Sequence, residues 1–267
     1  MSLMPQALFD ASPSWIILFV LVLARVSGMF LIAPLFSARL APVRVRGALA
    51  LFIGLAMMPL LSVERGEALA AMMTPLAMVG IVAGEIVIGS VIGLASQFVF
   101  GGMQLAGQLG GIQMGAGLSN LVDPQTGNRL TTMAQWSNVV ALLVFLAIDG
   151  HHLLIRAVAE SFDLVAIGNG MPATNGIGML LTLAGSMFVI GLKIASPVMM
   201  LVLMVNAAMG VLAKVIPQLN VFIVGFPLNV AAGLFGMMAA LPYTIQLLVH
   251  SFSDVAGSVL TIVDELG

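Results

Sequence analysis

Three ionisable residues, Arg25, Glu85 and Lys193, fall inside long apolar runs of this 267-residue chain. Charge at that depth is expensive, and it is normally paired or turned toward a wet interior. Two kinds of chemistry fit such residues: an ion or proton pathway, or salt bridges and hydrogen bonds at subunit contacts. A proton carrier draws on several buried carboxylates, whereas this chain offers only Glu85. The structural role is therefore the expectation for all three. His151 and His152 are neighbours, and adjacent helical positions point about 100° apart. That spacing predicts that they do not grip one metal from one face. Neither an HExxH pattern nor a carboxylate at matching spacing accompanies them or the distant His250. No GxSxG elbow, Walker loop or GxGxxG phosphate loop is present. The chain is not expected to be an enzyme or to hold a cofactor or metal.

The other conspicuous chemistry is amide and glycine. From Gln104 to Asn128 an otherwise apolar sequence turns rich in Gly and Gln, reading GIQMGAGLSNLVDPQTGN from Gly111 onward. Lipid cannot satisfy exposed backbone amides, so such a break survives at membrane depth only when buried in protein or lining a cavity. The stretch is expected to form one re-entrant loop at a pathway, a gate or a large partner. Asp123-Pro124-Gln125-Thr126-Gly127-Asn128 reads as its turn: Asp123 caps its own backbone, Pro124 presets φ and Gly127 supplies a positive φ.

The elements that must carry these residues follow from composition. The chain is 61% hydrophobic and only 7% charged, too little charge to cover a soluble surface. An all-α integral membrane protein is implied. The net charge of −2 is small and scattered, which argues against a nucleic-acid partner. The absence of cysteine removes disulfides and thiolate sites. Arg25 is the first basic residue, so a cleaved signal peptide is not expected.

A bilayer-crossing helix needs about 20 mostly apolar residues. Such runs extend over Pro13–Pro34, Gly47–Leu61, Met72 to beyond Phe100, Thr132–Ile148, Ile177–Val215 and Val221–Phe252, with an amphipathic stretch at Leu153–Val165. The last two runs are too long for one straight span and meet at the polar turn Ile216–Asn220. Pro197, Pro227 and Pro242 each delete a helical hydrogen bond and predict kinks. Gly80, Gly84, Gly89 and Gly93 include pairs at four-residue spacing, as do Gly107, Gly111 and Gly115, which lets helices pack closely. That packing is expected within the chain and also against other subunits. Arg39, Arg44 and Arg46 place the loop after the first run in the cytoplasm, and Lys214 places the last hairpin tip on the same side.

Four segments carry a resemblance to a known family: RVSGMFLIAPLFSARLAPVRVRGALAL from Arg25, GGIQMGAGLSNLVDPQTGN from Gly110, LAIDGHHLLIRA from Leu146, and PQLNVFIVGFPLNV from Pro217. In this order they resemble the FliR family of flagellar biosynthetic proteins, part of the bacterial type III export gate. The match runs from about Trp15 into the sixth run.

The resemblance implies kinked helical hairpins packed in a helical channel assembly. A FliP-like part would occupy residues 13–175, including a plug loop at 104–128. A FliQ-like hairpin would follow at 176–252, and a short acidic tail at 253–267. It implies FliP and FliQ as partners in the pore, with FlhB and FlhA-type gate proteins beside them. Exported flagellar proteins would be the transported substrates, in the bacterial inner membrane and basal body. Energy would come from the proton motive force and a cytoplasmic ATPase complex. By the same analogy Gly110, Gly111, Ile112, Gln113, Met114, Gly115 and Gly117 form the channel plug. Injectisome homologues share the architecture. The alternative is a secondary transporter with a discontinuous helix at the glycine break, which predicts a matched pair of breaks in two related halves.

Overall fold

The computed structural model describes residues 13–34, 42–61, 74–115, 131–168, 174–218 and 220–264. Among them every regular element is a helix. In chain order these are α1 (Pro13–Ile32), α2 (Val43–Met57, extended by a 3₁₀ turn at Met58–Leu60), α3 (Pro75–Gln113), α4 (Thr132–Ala147), α5 (Gly150–Leu164), α6 (Thr174–Val215) and α7 (Val221–Asp264). Four are long and apolar enough to cross a membrane. The protein is an all-α membrane protein. At 1.5 Å per residue, α3, α6 and α7 extend about 58–66 Å, roughly twice the hydrocarbon thickness of a bilayer. Helix persists through Pro197 in α6 and through Pro227 and Pro242 in α7.

Two of these helices run further than their sequences suggest. The residues after Ser253 continue α7 to Asp264, with Val255, Val259, Ile262 and Val263 buried, so an apolar stripe underlies the acidic tail. The amide-rich stretch Gln104–Gln113, expected as loop, is the last part of α3. Its glycines serve close packing there and do not interrupt the helix.

The chain forms two compact units. One comprises residues 1–97, 151–181 and 254–267; the other comprises 98–150 and 182–253. They interleave along the sequence, because α3, α6 and α7 each pass from one unit into the other. In the first unit α1 and α3 touch backbone to backbone. A Cβ on Gly89 would overlap the Arg25 carbonyl, and one on Gly93 would fall 2.8 Å from the Met29 oxygen. The amphipathic α5 buries Leu154, Ala157, Val158, Ser161 and Phe162 at helical spacing and leaves Arg156, Glu160 and Asp163 outside.

In the second unit Phe100, Phe145 and Phe252 meet edge-on or tilted, with ring centroids 5.2–5.6 Å apart. Here α4 starts at Thr131, whose hydroxyl accepts from the Ala134 amide. After Ala147 the chain turns through Asp149, which takes a positive φ of 55°. Asp tolerates this left-handed region better than most residues. The following Gly150 lies against the Phe145 ring, where no side chain fits.

Candidate functional site

Arg25 and Glu85 sit on helices whose apolar surroundings leave them no water: they are 0% and 1% exposed. Arg25 Nε donates to Glu85 Oε2 over 2.5 Å. The rest of the guanidinium reaches the C-terminal end of α5. Nη1 donates to the Ser161 carbonyl at 2.9 Å and to Ser161 Oγ at 3.0 Å, and Nη2 to the Val165 carbonyl at 3.2 Å. The Ser161 carbonyl also accepts the Val165 amide at 3.0 Å, and carbonyls at a helix C-terminus carry the negative end of the helix dipole, so a cation is a fitting partner. The ring of Phe162 covers the guanidinium at 4.2 Å.

Glu85 uses its second oxygen to accept the Gly168 amide at 3.0 Å. Gly168 has a φ of 90°, a conformation that favours glycine. The pair therefore ties α1, α3 and the end of α5 together, and each charged group is met by several partners. Lys193 does not belong to this set: it is exposed on α6. The contributions of Ser161, Val165 and Gly168 are missed by sequence reading, since all three act through backbone atoms and only Ser161 adds a side-chain group.

The glycine-rich end of α3 is built differently. The Gln104 side chain donates to Asn138 on α4 at 3.0 Å, and Gln108 accepts the Thr131 amide at 3.2 Å. Both glutamines thus satisfy interhelical contacts. Gly107 faces Ala134 and Ser137 so closely that a Cβ would clash, and Gly111 faces Thr131 in the same way. Gly110 is buried beside Val198.

Beyond the last helical residue, Met114 is 1% exposed in a core cluster with Val198 and Val202, flanked by Met133 and Met237. Its side chain occupies the space that a Cβ on Gly233 would need. Gly115 follows with a φ of 84° beside the Phe226 ring. Ile112 and Gln113 are both exposed. Gly117 and the turn residues Asp123, Pro124 and Gly127 lie outside the described residues.

The remaining sequence candidates divide. Gly89 and Gly93 pack against α1 of the same chain. Among the described residues nothing lies within 4 Å of a Cβ on Gly80, and Gly84 is half-buried. The rings of His151 and His152 stand 4.2 Å apart, so the divergence expected from helical geometry is overcome by side-chain rotation.

The model of the bacterial export proteins, family 1, matches residues 16–255. It spans every element from α1 to most of α7. The chain belongs to the FliR family of bacterial export proteins. Flagellar biosynthetic protein FliR of Escherichia coli K12 is 34% identical over 254 residues, covering 95% of both chains. The FliR proteins of Pectobacterium carotovorum and Bacillus subtilis are 31% and 27% identical, covering 95% and 93% of both chains. Membership makes the chain a component of the flagellar export apparatus that works with other export proteins. This FliR-family chain is thus set within an export family and not an enzyme family, consistent with a site made of helix locks and packing surfaces.

Proposed function

We propose that the chain is a core channel subunit of the flagellar type III protein-export gate. On this reading it sits in the bacterial inner membrane within the basal body and assembles with FliP and FliQ around a pathway for unfolded flagellar proteins. FlhB and FlhA-type gate proteins work beside it. Residues 13–175 form the FliP-like part and 176–252 the FliQ-like hairpin.

The observation that carries the reading is the end of α3. Ile112 and Gln113 are presented outward on a helix whose next residue, Met114, is anchored in the core. An apolar side chain on a fixed mount, followed by a glycine with positive φ, suits the wall or plug of a pathway closed to water. The plug assigned to Gly110–Gly117 then consists of a helical base, Gly110–Gln113, an anchor, Met114, and the chain beyond Gly115. The transporter alternative requires a matched pair of breaks in two related halves, whereas the sequence carries one dominant glycine-rich break.

The test is purification of the tagged chain from flagellated cells in mild detergent, paired with a deletion strain. Recovery of FliP and FliQ in one monodisperse complex, with loss of filament secretion on deletion, is expected. A stable complex lacking both partners, or normal secretion without the chain, refutes the proposal.

A further inference from the structure

Asp149, His151 and His152 come together in the short segment where α4 gives way to α5. One ligand atom from each, two imidazole nitrogens and a carboxylate oxygen, lies within 4.8 Å of the other two. Adjacent positions on an ideal helix set side chains about 100° apart. Here the histidines are the second and third residues of α5, and side-chain rotation brings their ring centroids to 4.2 Å. Asp149 joins them from the residue just before the helix, at a φ of 55°.

The backbone beneath this cluster is held in place. The Asp149 amide donates to the Leu146 carbonyl at 3.1 Å, and Gly150 lies against the Phe145 ring. Donors mounted on a fixed turn need only side-chain rotation to close on an ion. For His151 that rotation has a reason of its own. Its Nδ1 is shut off from water and has no hydrogen-bond partner among the described residues. A buried nitrogen left unpaired carries a desolvation cost, and turning the ring toward a ligand relieves it. Asp149 and His152 are both exposed, so an ion has a path to the cluster from solution.

The donor set selects the class of ion. Ca²⁺ and Mg²⁺ take oxygen ligands, whereas Zn²⁺ takes imidazole and carboxylate together, at about 2.0–2.2 Å. Three protein ligands leave one tetrahedral position for water or an incoming group. The N-terminal end of α5 opposes a cation through the helix dipole, and the Asp149 carboxylate offsets that charge. Asp149 therefore counts for more than a third ligand.

We infer that Asp149, His151 and His152 bind a divalent transition-metal ion of the zinc class, which clamps the turn between α4 and α5. The inference is independent of the channel reading, since it draws on neither the end of α3 nor any partner subunit.

The test uses the full-length chain in detergent, purified through a tag without histidine and stripped with a chelator. Calorimetric titration with Zn²⁺ is expected to give one equivalent per chain, and Co²⁺ at the same site the visible absorption of tetrahedral coordination. His152→Ala and Asp149→Asn each weaken Zn²⁺ binding at least about tenfold, while His250→Ala stays within about twofold of the parent. Asn tolerates the positive φ at position 149, so that variant removes the charge without straining the turn. Zn²⁺ slows hydrogen exchange at the Gly150 and His151 amides of the parent but of neither variant. Substoichiometric binding to the parent overturns the inference, as does unchanged affinity in either variant. Circular dichroism of the metal-free proteins checks their folding; if Asp149→Asn melts early, His152→Ala, at an exposed position, decides the outcome.

Discussion

Glu85 holds Arg25 with one carboxylate oxygen and the amide of Gly168 with the other. A single acidic residue on α3 therefore serves both the buried Arg25 guanidinium and the left-handed turn that follows α5. Arg25 completes the frame by capping the α5 carbonyls at Ser161 and Val165. The value of such a pair lies in what its breakage exposes, because replacing both charges by apolar groups is often neutral.

Arg25→Met should therefore destabilise the chain by about 3–5 kcal/mol, since it leaves the Glu85 carboxylate buried without its cation. Glu85→Met should cost a similar amount for the converse reason. The double variant Arg25→Met/Glu85→Met should recover a large part of either loss. Melting of the purified chain in detergent, followed by circular dichroism, reads all three. Additive losses in the double variant would show that the two residues act independently.

Gly89 and Gly80 both lie in α3, one buried against α1 and the other exposed, so their expected responses are opposite. Gly89→Ala pushes a methyl into the Arg25 carbonyl, and overpacking of this kind typically costs about 1–3 kcal/mol. Gly80→Ala meets nothing within 4 Å among the described residues and should gain about 0.8–1 kcal/mol from helix propensity. Both effects belong to the isolated chain, so they should appear in detergent melting without any partner protein. A loss at Gly89 seen only in the assembled complex would move that contact to another subunit.

Much of the helical layout was legible because length and hydropathy dominate it: α1, α4, α6 and the start of α7 fall within two or three residues of their apolar runs. A structural role for Arg25 and Glu85 was legible as chemistry, because buried charges must be neutralised, but that they pair with each other inside one chain, with Lys193 left out, was not. Nor were their backbone partners, since Ser161, Val165 and Gly168 contribute carbonyl and amide groups that every residue has. The end of α3 misled for a physical reason. Gly and Gln signal loops when water satisfies them, yet between helices glycine brings backbones together and Gln104 and Gln108 bond across the gap. Thr131 carried a usable signal, a hydroxyl residue directly before an apolar run, which marks a helix start.

That start can be weighed directly. Thr131 caps α4 through Ala134, and its own amide is held by Gln108. Thr131→Ala should cost about 0.5–2 kcal/mol, the usual range for loss of an N-cap, while Thr131→Ser should retain most of it. Hydrogen exchange at the Ala134 amide is the local readout, expected to quicken in Thr131→Ala alone. Equal protection in both variants would show that the hydroxyl is dispensable.

The end of α3 should separate stability from gating. Met114 is buried among Val198 and Val202, and Met114→Ala should destabilise by about 2–5 kcal/mol through the cavity it leaves. Ile112, 55% exposed, makes no comparable core contact, so Ile112→Ser should stay within about 0.5 kcal/mol of the parent. If Ile112 closes a pathway, the same substitution puts a hydroxyl in a dry constriction and lets water and ions through. Ion flux across vesicles containing the assembled gate should then rise several-fold for Ile112→Ser at unchanged complex yield. Met114→Ala should instead lower the yield of assembled gate in proportion to its lost stability. An Ile112→Ser gate that assembles normally and stays as tight as the parent would remove Ile112 from the seal and leave Met114 as a core residue just past the end of α3 with no gating role.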